Sequence, residues 1–335
     1  MRRFEQLTKT VKASKKILIV GHQNADPDAV CSAYLLSRAV KHINRRLKVT
    51  AVSPDGVSKV SARVLTQLSF EVADTATPDD FDAIFTVDTN TLQQLGSLRQ
   101  PIETCGKPLI VIDHHAIHPE TQNRADVLIS DDKATSACEV VLRLCTAAKL
   151  RLTKRDALAA FLGIAYETGH FTIATTRSLK LACRLLELGV DGTEALKIIR
   201  VPMDNSERIA RLKSARRMNW ESIGGWLVAS TVVGSFHASV ARSLIGLGAH
   251  LAIVGGEKKD RLTLSFRSTG EFFAGTNFHL GRNLATILGE TTNGAGGGHS
   301  TAAGATAQGN LDEVIKKSVE LFRTYVDRDK NTPAE

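Results

Sequence analysis

Short unbroken apolar runs punctuate the first half of the chain. Ile17-Leu18-Ile19-Val20, Ala83-Ile84-Phe85-Thr86-Val87 and Leu109-Ile110-Val111-Ile112 suit buried strands, and Val49-Thr50-Ala51-Val52 reads as another. Between them lie Ala29 to Lys41, with helical spacing, and a polar-apolar stretch from Ser58 to Leu68. Continuous Val/Ile runs separated by helices predict a parallel sheet covered on both faces. Helices are expected to dominate from Thr135 to about Leu188.

The pattern then changes. Thr193 to Trp220 is charged and reads mostly as helix; Pro202 interrupts it, and Arg208, Arg211, Lys213, Arg216 and Arg217 crowd its second half. It is read as a connector, its basic residues as a solvated helix face. Beyond it, Trp226 to Val233 and Arg261 to Arg267 look like strands and Gly281 to Leu288 like a helix. Asn293 to Gly298 is glycine-rich, and Leu311 to Tyr325 closes as an amphipathic helix. The expected organisation is therefore α/β. An N-terminal parallel-sheet domain (1–190) is followed by a helical connector (191–220) and a smaller mixed α/β C-terminal domain (221–330). Lys330 to Glu335 is expected to be disordered. No internal repeat is visible.

Composition narrows the class. The 335 residues are 43% hydrophobic and 23% charged, as in a soluble globular protein. No run of 18 or more apolar residues marks a membrane helix. Met1 to Lys16 is basic but lacks the apolar core of a secretory signal, so a cytoplasmic location is expected. Cys31, Cys105, Cys138, Cys145 and Cys183 form no C-x-x-C pair and read as buried, reduced small hydrophobes. The net charge of +8 fits an anionic partner such as a nucleotide or nucleic acid, and equally an ordinary basic surface.

The candidate chemistry sits where strands end. In open parallel sheets, ligands bind outside the carboxyl ends of the strands. Ile17–Val20 leads into Gly21-His22-Gln23-Asn24-Ala25-Asp26-Pro27-Asp28, Ala83–Val87 ends in Asp88 and Leu109–Ile112 in Asp113-His114-His115. Clustered ionised carboxylates need a cation among them. Oxygen ligands mixed with imidazole suit manganese or magnesium rather than a thiolate metal. The supply of ligands exceeds what one ion needs, which favours two ions about 3.5–4 Å apart sharing a carboxylate. Taken singly, an Asp after a strand is usually a helix N-cap and a lone His a structural residue. His42, His118, His170, His237, His250 and His279 are assigned that role. Glu167 ends an apolar helical run, Gly163 to Tyr166. Gly294 to Gly304 permits close backbone approach to a phosphate, with Arg267 and His299 as a bidentate contact and a proton donor; a flexible loop is the bland alternative.

These clusters, in this order, resemble the DHH phosphoesterase family from about Lys15 to about Thr306. His22-x-x-x-Asp26-x-Asp28 is similar to its first motif, Asp88 to the second, Asp113-His114-His115 to the third and the segment around Glu167 to the fourth. Gly296-Gly297-Gly298-His299 with Ala302-Ala303-Gly304 resembles the signature of the type-one C-terminal associated domain. The resemblance implies two divalent ions, manganese first, with magnesium or cobalt as alternatives. His22, Asp26 and Asp88 would hold one, and Asp28, Asp88 and His114 the other. His115 would face the scissile phosphate, Asp113 would orient the histidines, and Arg267, Gly297, Gly298 and His299 would bind the nucleotide. Where the family has an aspartate in its fourth motif this chain has Glu167, which keeps the carboxylate and adds a methylene.

The architecture resembles the oligoribonuclease and adenosine 3′,5′-bisphosphate phosphatase group, and also RecJ-type exonucleases, which carry further domains. The implied activity is two-metal hydrolysis of short RNA or DNA oligonucleotides, linear dinucleotides or small nucleotides to 5′-mononucleotides. The alternatives are a RecJ-like exonuclease on longer strands, a DHH-type inorganic pyrophosphatase and a non-catalytic nucleic-acid-binding scaffold. No membrane partner is expected, and a homodimer is left open.

Overall fold

The computed structural model describes residues 2–200, 203–258 and 261–330. The readings of Pro202 and of 331–335 lie outside them. The chain divides into two compact units, Met1–Val201 and Pro202–Glu335.

In the first unit β1 (Lys16–Val20), β2 (Lys48–Val52), β3 (Ala83–Val87), β4 (Leu109–Asp113) and β5 (Val127–Ser130) form one sheet of order β2-β1-β3-β4-β5, parallel throughout. The unbroken apolar runs have a direct cause. Ile17, Ile19, Phe85, Val87, Ile110 and Ile112 face one hydrophobic cluster, while Leu18, Val20, Ile84, Leu109 and Val111 face another. The first cluster is built with helices α1 (Arg2–Ala13), α2 (Pro27–Ile43) and α3 (Lys59–Leu68), and with α6 (Ala137–Ala147), α7 (Lys154–Glu167), α8 (Thr176–Glu187) and α9 (Gly192–Ile199). The second lies under a 3-10 segment, Leu92–Leu98, and α4 (Arg99–Thr104), with α5 (Pro119–Arg124) nearby in the chain. Each fully buried Leu or Ile contributes about 1.5–3 kcal/mol, so all the central strands are anchored from both sides.

In the second unit α10 (Asn205–Arg217) precedes β6 (Asn219–Ile223), β7 (Trp226–Val232), α11 (His237–Gly246), β8 (Leu251–Lys258), β9 (Arg261–Ser268) and α12 (Gly270–Thr276). A π-helical segment, Leu280–Thr286, then leads into α13 (Ile287–Thr291), β10 (Ala295–Gly298), β11 (Ala302–Ala307) and α14 (Leu311–Lys330). The sheet order is β10-β11-β9-β8-β7-β6; only β7 and β8 pair in parallel. The stretch read as a connector is shared between the units. Ala195 and Ile199 of α9 join the core of the first, whereas Ala210 of α10 packs against a core cluster of the second.

Two expectations need correction. The bland alternative for the glycine-rich segment, a flexible loop, does not hold: Ala295–Gly298 is strand β10, paired to β11 from Ala295↔Thr306 to Gly298↔Ala303. Its glycines permit this, because a Cβ at Gly296 would overlap the Ala285 carbonyl of the π-helical segment, and one at Gly281 would overlap the Gly298 carbonyl. The cysteines are free, but Cys105 is only half-buried and Cys183 is exposed on α8. Among the described residues no helix is long and apolar enough to cross a membrane.

Candidate metal centre

The loops that follow β1, β3 and β4 bring their polar residues together at the carboxyl edge of the first sheet. Asp26 is the N-cap of α2, its Oδ1 accepting from the N–H groups of Asp28 (2.8 Å) and Ala29 (3.1 Å), with Pro27 at the first helical position. Asp28 is fully buried in the first turn. Its Oδ2 accepts from the N–H of Ala137 (2.6 Å) and its Oδ1 from that of Cys138 (3.0 Å), so the N-terminus of α6 holds this carboxylate. Burial first, and then the neighbouring charges of Asp88 and Asp26, push the Asp28 carboxyl well above the usual range. Asp88, directly after β3, has left-handed backbone (φ +55°), which is uncommon for a residue other than glycine.

His22 Nε2 stands 3.9 Å from Asp26 Oδ1 and 3.9 Å from Asp88 Oδ2, while its Nδ1 lies 2.8 Å from the carbonyl of Gln23. His114 Nε2 is 3.5 Å from Asp88 Oδ1 and 4.0 Å from Asp28 Oδ2. Donors about 2.1 Å from a shared ion stand about 3.0–4.2 Å apart, so these separations suit bridging by a cation better than direct hydrogen bonding. Burial alone lowers an imidazole pKa. Here the carboxylates overcome it, and His22 and His114 are each raised to about 9. Within this cluster, among the described residues, the buried atoms Asp88 Oδ1, His114 Nε2 and Asp113 Oδ2 lack a hydrogen-bond partner. Such orphans are costly unless something satisfies them, and a divalent cation does so for the first two. Among the described residues, donor atoms of His22, Asp26 and Asp88 lie within 4.8 Å of one another, as do those of Asp88, Asp113, His114 and His115.

Asp113 Oδ1 accepts from the N–H groups of His114 (2.6 Å) and His115 (3.0 Å) and lies 2.9 Å from His115 Nδ1. With Nδ1–H donating to Asp113, Nε2 of the half-exposed His115 ring is not engaged by Asp113. Glu167 ends α7, half-buried, and belongs to neither compact donor group. Burial first, and the charges of Asp26 and Asp88 next, raise its carboxyl. The holder of Asp28 was not read from the sequence. A signal for it exists in Ser136-x-x-Glu139, a helix-start pattern, where Ser136 Oγ accepts from the Glu139 N–H at 3.2 Å. Several histidines left to structure do have structural work. His118 caps α5, His279 caps the π-helical segment, His250 Nδ1 accepts from the Leu227 N–H, and His237 Nε2 lies 3.1 Å from the Val233 carbonyl.

The remaining candidates lie together in the second unit. Arg267 near the end of β9 is registered with Ala302 of β11 and Ala252 of β8. Its Nη1 donates to the carbonyl of Phe266 at 2.8 Å. Burial, then the charge of Arg242, destabilises its positive form. The exposed His299 lies in the turn between β10 and β11, its N–H donating to the Ala302 carbonyl at 2.7 Å and its carbonyl accepting from Gly281 at 3.1 Å. Gly298 has φ +141°, and a Cβ there would clash with Ala302 and Ala303; a Cβ at exposed Gly297 would meet nothing within 4 Å.

Residues 16–165 match the model of the DHH family, N-terminal domain. An uncharacterized protein of Methanocaldococcus jannaschii is 28% identical over 324 residues, 94% of this chain and 95% of its own. The bifunctional oligoribonuclease and PAP phosphatase NrnA of Thermus thermophilus is 26% identical over 343 residues, 98% of this chain and 95% of its own. The solved structure of an exopolyphosphatase-related protein from Bacteroides fragilis shares the fold, with TM-score 0.70 and 19% identity, covering 98% of this chain and 96% of that one.

Proposed function

We propose that the chain is a phosphoesterase of the DHH family, whose N-terminal domain model residues 16–165 match, and that it hydrolyses short oligonucleotides or small nucleotides to 5′-mononucleotides, with two divalent ions at the carboxyl edge of its first sheet. The observation that carries the reading is the buried, unpartnered pair Asp88 Oδ1 and His114 Nε2, 3.5 Å apart. His22, Asp26 and Asp88 would hold one ion; Asp28, Asp88, His114 and Glu167 would hold the other, with Asp88 shared. Imidazole mixed with carboxylate favours manganese, with magnesium or cobalt next. When bound, such ions supply Lewis-acid stabilisation of the phosphoryl charge and acidify water at neutral pH.

The chain's own groups do the rest. Asp113 fixes the tautomer and orientation of His115, which then places Nε2 for proton transfer at a phosphate or leaving-group oxygen. The α6 N-terminus keeps the Asp28 carboxylate in place. Arg267 and His299 would grip a terminal phosphate or nucleotide. Gly297, whose lack of a side chain no packing explains, would let that group approach the backbone. The NrnA relative supports short substrates.

The test is product analysis on labelled oligonucleotides of graded length, alongside adenosine 3′,5′-bisphosphate and pyrophosphate, in Mn²⁺. Mononucleotide release from short substrates, lost on chelation and in Asp88→Ala, is expected. Full turnover by Asp88→Ala in chelator would remove the shared-ligand assignment; turnover of pyrophosphate alone would remove the nucleotide reading.

A further inference from the structure

The first unit carries a groove of about 520 Å³ between α6 and α8 that the metal centre does not use. Four cations line it, Arg143 from α6 and Arg177, Lys180 and Arg184 from α8, over a floor that includes Leu142 and Leu181. The three on α8 follow i, i+3, i+7 spacing and so share one helix face. They span about 10.5 Å at 1.5 Å per residue. Two carboxylates answer part of this charge. Asp131 Oδ2 takes Arg143 Nη1 at 2.6 Å and Arg177 Nη1 at 3.1 Å, and the buried Glu139 Oε2 lies 3.3 Å from Arg177 Nε. Lys180 and Arg184 are exposed and have no hydrogen-bond or ion-pair partner among the described residues. The groove is therefore positive, and most so away from Asp131.

Its other end abuts the metal centre. The Asp131 N–H donates to the Asp113 carbonyl at 3.2 Å. Glu139 follows directly on Ala137 and Cys138, whose N–H groups hold Asp28. A row of cations that begins beside the proposed phosphoester-cleaving residues and ends in two unanswered ones, over apolar side chains, fits a polyanion with apolar faces.

We infer that the α6–α8 groove is a track for the backbone of single-stranded nucleic acid, holding about two to three phosphates beyond the one at the metal centre. The inference rests on the nucleotide reading above, and it makes the enzyme discriminate by length. Arg177, fixed by Asp131 and Glu139, marks the head of the track; Lys180 and Arg184 take the following phosphates.

Two measurements test it, the first of them separately from catalysis. The first is binding of a fluorescent single-stranded hexanucleotide in chelator, read by anisotropy against salt, for wild type, Lys180→Gln/Arg184→Gln and Lys180→Arg/Arg184→Lys. The glutamine pair is expected to bind at least tenfold more weakly. Its plot of log affinity against log salt should be shallower by about 1.4, from about 0.7 per lost phosphate contact, while the charge-retaining pair stays within twofold of wild type. The second is hydrolysis in Mn²⁺, where the glutamine pair should lower the ratio of kcat/KM for hexanucleotide over dinucleotide at least tenfold. Unchanged hexanucleotide affinity and salt slope in the glutamine pair would overturn the track, leaving a solvated helix face, whether or not the enzyme cleaves nucleotides. Wild type that binds the hexanucleotide through these residues but cleaves neither substrate would leave the track standing and remove the catalytic reading.

Discussion

Gly163 sits within α7, in ordinary helical backbone, where replacement by alanine raises intrinsic helix stability by about 1 kcal/mol. The surroundings reverse the sign. A Cβ at this position would overlap Cys138 Sγ and stand 2.9 Å from Asp28 Oδ1, well inside the roughly 3.5–4.0 Å of ordinary packing. Cys138 and Asp28 are both fully buried, so neither has solvent to swing into. Overpacking a core costs about 1–3 kcal/mol. Pushing Asp28 off the Ala137 and Cys138 N–H groups forfeits bonds to a charged acceptor of about 1.5–3 kcal/mol each. Gly163→Ala is therefore expected to destabilise by about 2 kcal/mol or more. At about 2–4 °C per kcal/mol for a unit of this size, Tm falls by about 4–8 °C. Because the displaced group is a proposed ligand, the Mn²⁺ concentration for half-maximal activity should also rise, by about 10–100-fold as for lost ligand support. The assay is thermal unfolding in chelator, followed by a Mn²⁺ titration of turnover. A higher Tm with an unchanged titration would show that helix propensity governs this position, and that α6, α7 and Asp28 are not locked together as described.

At Glu167, alanine should reduce turnover at limiting Mn²⁺ far more than aspartate does, with partial recovery in excess metal; wild-type activity of Glu167→Ala at limiting Mn²⁺ would leave that carboxylate without a role. Asp156, buried, accepts from Arg38 Nε (2.9 Å), Tyr34 Oη (3.0 Å) and the Thr153 N–H (2.9 Å), and Arg38 and these donors hold its carboxyl below the usual range against the cost of burial. A depressed carboxyl pKa adds stability that is present above the unfolded value of about 3.9 and lost as pH falls through the folded one. Asp156→Ala should therefore cost about 1.5–3 kcal/mol at pH 7, and the gap from wild type should shrink on acidification below about pH 4; a gap independent of pH in denaturant titrations would refute it. In the glycine segment, Gly296→Ala should lower Tm by overlapping Ala285, while Gly297→Ala should leave Tm alone and raise KM for nucleotides; equal melting losses would mean that both glycines serve packing.

How far the fold is legible depends on what each strand is buried against. β1, β3 and β4 are covered on both faces, so their sequences are unbroken apolar runs. β5 is four residues with only Val127 fully buried, too short and too exposed to stand out. α1 buries only Leu7 and Val11, with Phe4 half-buried against the same core, and its basic surface draws attention to targeting rather than to periodicity. In the second unit only β7 and β9 were read as strands. β10 and β11 are almost entirely glycine and alanine, residues with poor strand propensity. They form strands because small residues let β10 lie against the π-helical segment, a tertiary reason invisible in a local window.

The candidate ligands were legible as residue types at strand ends; what supports each of them was not. Sequence poses cap and ligand as rival readings of an aspartate, yet a carboxylate has about four acceptor sites, and here backbone N–H groups hold several of the group. Asp26 is held by α2, Asp28 by α6, and Asp113 by the N–H groups of His114 and His115. Each would have a structural reason to exist without any cation. Asp88 has none of this support. Among the described residues its carboxylate accepts no backbone N–H, its Oδ1 is buried and unpartnered, and its backbone is left-handed, a conformation that costs about 1–2 kcal/mol away from glycine. The His22, His114 and His115 rings stand 3.5–3.9 Å from this carboxylate, longer than hydrogen bonds, so they offer it charge compensation but no directed bond. The energetic argument for a cation therefore rests most heavily on the residue whose sequence context, a single aspartate after a strand, was the least distinctive of the set.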